Sequence, residues 1–300
     1  MGRIIAVLDV GGTSMKTGVV DLAHLASSSD GEPPARVELG PIMPANSQGS
    51  ADEVLDTLAA AADAALDLAG PGVTGLAIAF CGPFDIEAGI SRVKGVHKFE
   101  SIFGIDLRSE LRLRSTVAQR PIRFARDAEA AGTGEALAGA GRGFDRVLTI
   151  TVRTGLGTCL TDHATPVEIV DGFGVEHLAM RTTSTGARAD DELSARGLAQ
   201  RLGVDMVDLR AAVDDPANAD AVSDHGTRLG AFLAPVVHEF DAHIVVIGGG
   251  FAAAFERFGP ALQSSIGSVL VRPAVLGTAG PLLGAAQLTF ATRNATNPER

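Results

Sequence analysis

Tryptophan and tyrosine are absent from this chain of 300 residues. Any aromatic platform for a ligand must come from its 13 phenylalanines or 7 histidines, and polar side chains are the expected contacts instead. Cysteine is nearly absent, with Cys81 and Cys159 the only two. Two thiols far apart in sequence build neither a disulfide framework nor a four-thiolate zinc site. No structural zinc is therefore expected, and a reducing cytoplasm is the simple setting. No apolar run reaches the roughly 20 residues of a membrane-spanning helix, so no membrane partner is expected. Met1 to Leu8 leads straight into strand-like sequence without a cleavage-site pattern, and no signal peptide is expected. Positive charge is also scarce: 25 Lys and Arg face 36 Asp and Glu, a formal charge of −11. A general nucleic-acid binder needs a basic face to release counterions, so no nucleic-acid partner is expected. A phosphate site remains open, because a few backbone N–H groups and one lysine suffice for it.

Apolar residues make up 46% of the chain, enough at this length for two α/β domains with a substantial core. Residues 3–10 form a nearly continuous apolar run, as in a buried strand. Gly11-Gly12-Thr13-Ser14 breaks it, and Thr17–Asp21 reads as a returning strand. A third strand is expected near Arg36–Leu39. Ser50-Ala51-Asp52-Glu53 has the form of a capping box, opening a helix that runs to about Leu68 and stops before Gly70-Pro71-Gly72. Thr74–Phe80 and Pro121–Ala125 read as strands, with a short helix over Asp106–Arg114 between them. An alanine-rich helix then starts at Asp127. The opening pattern now recurs: Arg146–Arg153 is β-rich, Thr154-Gly155-Leu156-Gly157 is a glycine turn, and Thr158–Asp162 returns. Helices are expected near 190–202, 205–213, 223–239, 259–270 and 280–292, with a strand over His243–Ile247. Two strand–glycine turn–strand units, each near the start of a domain-sized segment, imply two related halves rather than one doubly wound sheet.

Several segments carry candidate chemistry. In Asp9-Val10-Gly11-Gly12-Thr13-Ser14-Met15-Lys16, glycines at a strand end let backbone N–H groups approach a phosphate. Thr13 and Ser14 add hydroxyls, Lys16 adds a charge, and Asp9 can hold the hydration shell of Mg²⁺. No helix follows the glycines, so this is not a dinucleotide fingerprint, and the Gly-Lys-Ser/Thr ending of a Walker loop is missing. An ordinary hairpin uses the same glycines, and the segment alone does not decide between the two. The turn Arg153-Thr154-Gly155-Leu156-Gly157 offers a second phosphate contact, or a plain hairpin. Asp127, after a strand and at a helix start, can take the proton of a hydroxyl attacking a γ-phosphate. It is equally suited to cap the helix, which is the favoured reading of that segment alone. Glu176 and His177 can grip hydroxyl groups or form an unremarkable surface pair. Gly248-Gly249-Gly250 after a strand suits close backbone approach to an adenosine, or a tight strand-to-helix turn.

The order of these motifs resembles the ROK family, which combines sugar kinases with related repressors, and the likeness spans almost the whole chain. Asp9 to Lys16 resembles the family's first phosphate motif. Ala79-Phe80-Cys81-Gly82-Pro83 resembles its sugar-side turn, with Cys81 in place of a proline. Gly95-Val96-His97-Lys98-Phe99 and Gly104-Ile105-Asp106-Leu107 resemble the segment before the helix supporting the sugar site. Asp127-Ala128-Glu129-Ala130 through Gly134-Glu135 resembles the motif whose aspartate is the family's catalytic base. Thr154-Gly155-Leu156-Gly157 resembles the second phosphate motif, Gly248-Gly249-Gly250 the adenosine motif, and Gly284-Ala285-Ala286 the closing helix. The family's repressors carry a helix-turn-helix before the first phosphate motif; none precedes Asp9 here, which favours the kinase branch.

The resemblance implies an actin-like ATPase (ribonuclease H-like) α/β fold of two domains with a central cleft. The expected domains are 1–120 with 280–300, and 121–279. It implies ATP with Mg²⁺, a hexose or N-acylated amino sugar as acceptor, and a homodimer. Asp127 becomes the base. Asp9, Gly11, Gly12, Thr13, Lys16, Thr154, Gly155, Gly249 and Gly250 become the nucleotide contacts, and Gly82, Arg126, Asp127, Glu176 and His177 the sugar contacts. Three positions depart from the pattern: Arg126 replaces an asparagine, Arg153 a glycine and Gly174 a glutamate. The cysteine cluster that holds zinc in the family is missing between Met180 and Asp190. The alternative these departures carry is a non-catalytic sugar- or nucleotide-binding protein that retains the kinase fold.

Overall fold

The apolar run at the start of the chain forms strand β1 (Ile4–Val10), buried from Ile5 onward. It is seen in a computed structural model that describes residues 3–23, 36–95, 98–167 and 175–291, without the side chains of Val175, Glu176 and His177. β1 turns through Gly11–Thr13 into β2 (Ser14–Asp21), which pairs antiparallel with both β1 and β3 (Arg36–Pro44). Helix α1 (Ala51–Ala69) begins with the expected capping box: the Ser50 N–H donates to the Glu53 carboxylate at 2.7 Å, and the Glu53 N–H to Ser50 Oγ at 3.4 Å. Next come β4 (Val73–Phe80), the short hairpin β5 (Phe84–Asp85) and β6 (Ile90–Ser91), α2 (Leu107–Arg114), β7 (Ile122–Arg126) and α3 (Asp127–Ala138). The second half runs β8 (Arg146–Val152), β9 (Leu156–Asp162), β10 (Thr165–Pro166), α4 (Ala189–Leu193), α5 (Ala195–Leu202), α6 (Leu209–Asp214) and α7 (Ala219–Phe240). It ends with β11 (Ile244–Gly248), α8 (Phe255–Ile266), β12 (Leu270–Pro273), α9 (Ala279–Ala286) and a π turn over Gln287–Ala291.

The two sheets have one plan. Their orders are β3-β2-β1-β4-β7 and β10-β9-β8-β11-β12. In each, three antiparallel strands come first, and two parallel strands are then added beside the opening one. Counted within its own half, each sheet reads 3-2-1-4-5, so the repeat of glycine hairpins marks a repeat of architecture. The chain divides into two compact units, Met1–Gly134 with Thr278–Arg300, and Glu135–Gly277. β7 pairs parallel with β4 in the first sheet, so residues 121–134 group with the first unit rather than opening the second. The first core gathers Leu8, Leu58, Ile78, Phe80 and Phe99; the second gathers Leu148, Leu160, Leu229, Val245 and Phe258. No helix among the described residues is long and apolar enough to cross a membrane.

Two helices differ from the expected ones. The helix expected over 190–202 breaks at Ser194, whose hydroxyl accepts the Gly197 N–H at 3.3 Å and so caps α5. The helix expected over 259–270 lies earlier, at Phe255–Ile266, and yields to β12.

His225 on α7 is fully buried. Its Nδ1 lies 2.9 Å from an Arg201 guanidinium nitrogen, and its ring meets Phe251 edge-on at 5.6 Å. Arginine only donates, so Nδ1 accepts and the ring is neutral with its proton on Nε2. Burial first, then the charge of Arg201, pushes the pKa of His225 down to about 3. The unfolded chain binds a proton here below about pH 6.5, while the folded chain does so only near the depressed value. Stability from this group is therefore full above about pH 6.5 and is lost as pH falls. The stability difference between the parent and His225→Leu is expected to move against the parent by about 1.4 kcal/mol per pH unit over pH 6 to 4. Urea unfolding of both proteins at several pH values measures it, and parallel curves would remove this account.

Candidate active site

Parallel pairing decides what meets at the end of the first sheet. Val10 of β1 is in register with Phe80 of β4, and Phe80 with Arg126 of β7. The next residue of each strand is Gly11, Cys81 and Asp127, so the glycine turn, the Cys81-Gly82-Pro83 turn and the start of α3 emerge together. Gly82 is exposed, and its bond to Pro83 is cis. The Asp127 carboxylate is half-buried and accepts the Ala128 N–H at 2.9 Å. Arg126 forms an ion pair with Glu129 at 3.0 Å, one turn along α3. Cys81 is buried. Its burial is the main reason the thiol pKa is pushed up to about 11; Lys98 opposes the rise, while Asp127 and Asp9 add to it. At neutral pH it is an uncharged, inert thiol.

Asp9 and Lys16 are directly opposite on the β1–β2 hairpin. Lys16 Nζ stands 2.9 Å from Asp9 Oδ2, and the Asp9 side chain is wholly buried. The charge of Lys16 is thus matched inside the protein. Ser47, which the sequence reading did not single out, donates from its hydroxyl to the Gly12 carbonyl at 2.5 Å, and the Ala45 N–H donates to the Thr13 carbonyl at 3.0 Å. These bonds fix the glycine turn from the β3–α1 connection.

The second unit brings its own two glycine turns together. Thr151 of β8 is in register with Gly248 of β11. Gly249 has φ of +82°, and a Cβ there would stand 2.5 Å from the Val152 carbonyl oxygen and 3.0 Å from Arg153 Cγ. Only glycine fits that close approach. The Arg153 N–H donates to the Gly155 carbonyl at 2.9 Å. The Leu156 N–H donates to Asp190 Oδ1 at 2.7 Å, and Arg196 holds Asp190 at 2.9 Å. One amide of this turn therefore already faces a carboxylate, a partner with no sequence signal because it lies 34 residues away. Thr154 and Gly250 are exposed. Glu176 and His177 fall on a 3₁₀ stretch, Val175–Met180, and their side chains lie outside the described residues, as do Gly174, Val96 and His97.

The donor set suits Mg²⁺ in one way only. Among the described residues, no group of three or more His, Cys, Asp or Glu side chains is placed to hold a metal ion. A single carboxylate at the first glycine turn, that of Asp9, which is also paired with Lys16, matches a hydrated ion that arrives with a nucleotide, since Mg²⁺ keeps several waters and takes one or two carboxylates.

Two sheets of ribonuclease H-like order, each opening with a glycine hairpin, define an actin-like ATPase fold. The ROK family model matches residues 5–174, and the chain belongs to the ROK family. The chain is similar to a glucokinase of Thermotoga maritima, 26% identical over 307 aligned residues that cover 92% of this chain and 90% of that protein. Among solved structures it is similar to a ROK hexokinase of Thermus thermophilus, with TM-score 0.71, 26% identity and coverage of 97% of this chain and 100% of that one. A ROK glucokinase of Streptomyces griseus, solved with glucose and AMPPNP, matches at TM-score 0.70 and 22% identity, covering 96% of this chain and 99% of that one.

Proposed function

We propose that this protein is a sugar kinase that transfers the γ-phosphoryl group of ATP to a hydroxyl of a hexose or N-acylated amino sugar. The observation that carries the reading is the shared register of β1, β4 and β7. It sets the glycine turn, the Cys81-Gly82-Pro83 turn and Asp127 side by side at the strand ends. Membership of the ROK family and the likeness to glucokinases and a hexokinase support it.

In this reading Asp127 accepts the proton of the attacking hydroxyl. Gly11, Gly12 and Thr13 present N–H and hydroxyl donors to phosphate, and the Asp9–Lys16 pair keeps the hairpin in register. Asp9 would hold a hydrated Mg²⁺, which would supply positive charge to the phosphates. Thr154 and Gly155 add phosphate contacts, Gly249 and Gly250 lie against adenosine, and Gly82, Arg126, Glu176 and His177 contact the sugar. A cytoplasmic homodimer completes the proposal on family likeness.

A non-catalytic binder of the same fold is the second reading. It is favoured by the Asp190 carboxylate on the Leu156 amide and by the arginines at 126 and 153. A screen of hexoses and amino sugars with coupled detection of ADP separates the two. ADP release that requires one of the sugars is the expected result. Nucleotide binding without turnover on any sugar would give the second reading its place.

A further inference from the structure

Lys16 was the one cation the sequence suggested for the first phosphate turn, and it is paired with buried Asp9. A second lysine lies on that turn. A Cβ placed on Gly12 would stand 2.9 Å from Lys98 Cδ, 3.7 Å from its Cβ and 3.8 Å from its Cγ. The stem of Lys98 therefore runs along the bare face of Gly12, and any larger residue at 12 would displace it. Two bonds tie this segment to the turn. The Phe99 N–H donates to the Ser47 carbonyl at 2.6 Å, and Ser47 Oγ donates to the Gly12 carbonyl at 2.5 Å. Phe99 is wholly buried with its ring 5.2 Å from that of Phe80, the last residue of β4. Its φ of +54° is left-handed, a conformation that is strained for a non-glycine residue. A buried aromatic held in that conformation fixes where the preceding residue leaves the backbone.

The charge of Lys98 is placed differently from that of Lys16. The Lys98 side chain is half-buried, and no carboxylate among the described residues forms an ion pair with it. Its field reaches Cys81, which also senses Asp127 and Asp9. The stem of Lys98 thus lies on the turn proposed for phosphate, and its charge is felt at Cys81, the residue that follows β4. A solvated lysine that merely rests its stem on the protein would need neither the bridge through Ser47 nor the left-handed Phe99.

We propose that Lys98 is a catalytic residue whose ammonium contacts the oxygens of the transferring phosphoryl group. The inference rests on the kinase reading. In the step it serves, a sugar hydroxyl oxygen forms a bond to the γ-phosphorus of ATP. The bond from that phosphorus to the β–γ bridging oxygen breaks, and ADP leaves with the electron pair. The hydroxyl proton passes to the Asp127 carboxylate, so sugar and ATP give sugar phosphate, ADP and a proton. Charge builds on the γ-phosphoryl and bridging oxygens, and a fixed ammonium beside them is stabilising there. Lysine serves as a point charge with three donors, which suits a group that moves between two partners.

The test compares the parent with Lys98→Met, Lys98→Gln and Lys98→Arg. Calorimetric affinities are measured for ADP and for a non-hydrolysable ATP analogue, with magnesium present throughout. Phosphorylation rates are measured with the sugar that supports turnover. Met and Gln are expected to lose about tenfold or more in affinity for the ATP analogue while ADP affinity changes less than threefold, and to lose turnover about 10²-fold, the scale of a lost electrostatic donor. Arg is expected to retain most of the analogue affinity. Equal losses for both nucleotides, or no loss in Met and Gln, would overturn the role of Lys98. Parental turnover alongside unaffected Met and Gln variants sinks this inference and leaves the kinase reading standing. A parent that binds neither nucleotide sinks both.

Discussion

Asp127→Asn is expected to lower sugar phosphorylation by about 10²-fold or more, the usual scale for a lost general base. The substitution keeps side-chain size, and the amide oxygen can still accept the Ala128 N–H that the carboxylate now accepts at 2.9 Å. One negative charge is lost from the first turn of α3, where Glu129 remains, and such a charge near a helix N-terminus is worth about 0.3–1 kcal/mol. Thermal stability should therefore fall only slightly, and the fall in rate should lie in kcat. Steady-state rates with saturating ATP and sugar, beside melting curves of both proteins, make the comparison. A variant that melts like the parent and turns over like the parent would leave Asp127 as a helix-starting residue and nothing more. The same residue type serves both roles, and the segment Arg126–Ala130 alone favours the cap. The strand pairing beside it adds what the segment lacked: its position one residue past the β4–β7 register, next to Cys81 and the glycine turn.

What was legible in the sequence was local chemistry. Ser50 and Glu53 name the start of α1 because a capping box is a four-residue contact. The two glycine hairpins stand out because the break in an apolar run and its return lie within a few residues. Their recurrence disclosed the repeated sheet, though not its strand order. Partners distant in sequence stayed hidden. β7 reads as a strand, but nothing in Ile122–Arg126 says that its partner is β4 rather than a strand of the second sheet, so the sequence carries no signal for the grouping of residues 121–134 with the first compact unit. β12 has only four residues, of which one is buried, and it was absorbed into a neighbouring helix pattern. In the candidate site the near misses have the same cause. The Asp9–Lys16 pair follows from hairpin register and was open to inference. Ser47 on Gly12, Lys98 on Gly12 and Asp190 on Leu156 are tertiary contacts between segments far apart in the chain, with no spacing to announce them.

Gly284→Leu is expected to abolish folding of the first unit, and Gly284→Ala to cost about 3 kcal/mol, the upper part of the range for forcing atoms into a packed core. Every residue of α9 from Gly280 to Ala286 is buried. A Cβ on Gly284 would overlap the Ala130 carbonyl oxygen on α3, and a Cβ on Gly134 would overlap the Gly280 carbonyl oxygen. Residues 280 and 284, like 130 and 134, are four apart and share a helix face. The two helices therefore cross with backbone against backbone, and no side chain is available to yield. Separating them displaces α3, whose first residue is Asp127, so the fraction of Gly284→Ala that folds should also lose turnover. Gly72→Ala is the matched control, because its Cβ would meet nothing within 4 Å and its stability should stay within about 0.5 kcal/mol of the parent. Urea unfolding and turnover of the two alanine variants are measured side by side. If Gly284→Ala proves as harmless as Gly72→Ala, the close crossing does not hold α3 in place, and the position of Asp127 must be fixed by the β4–β7 pairing alone.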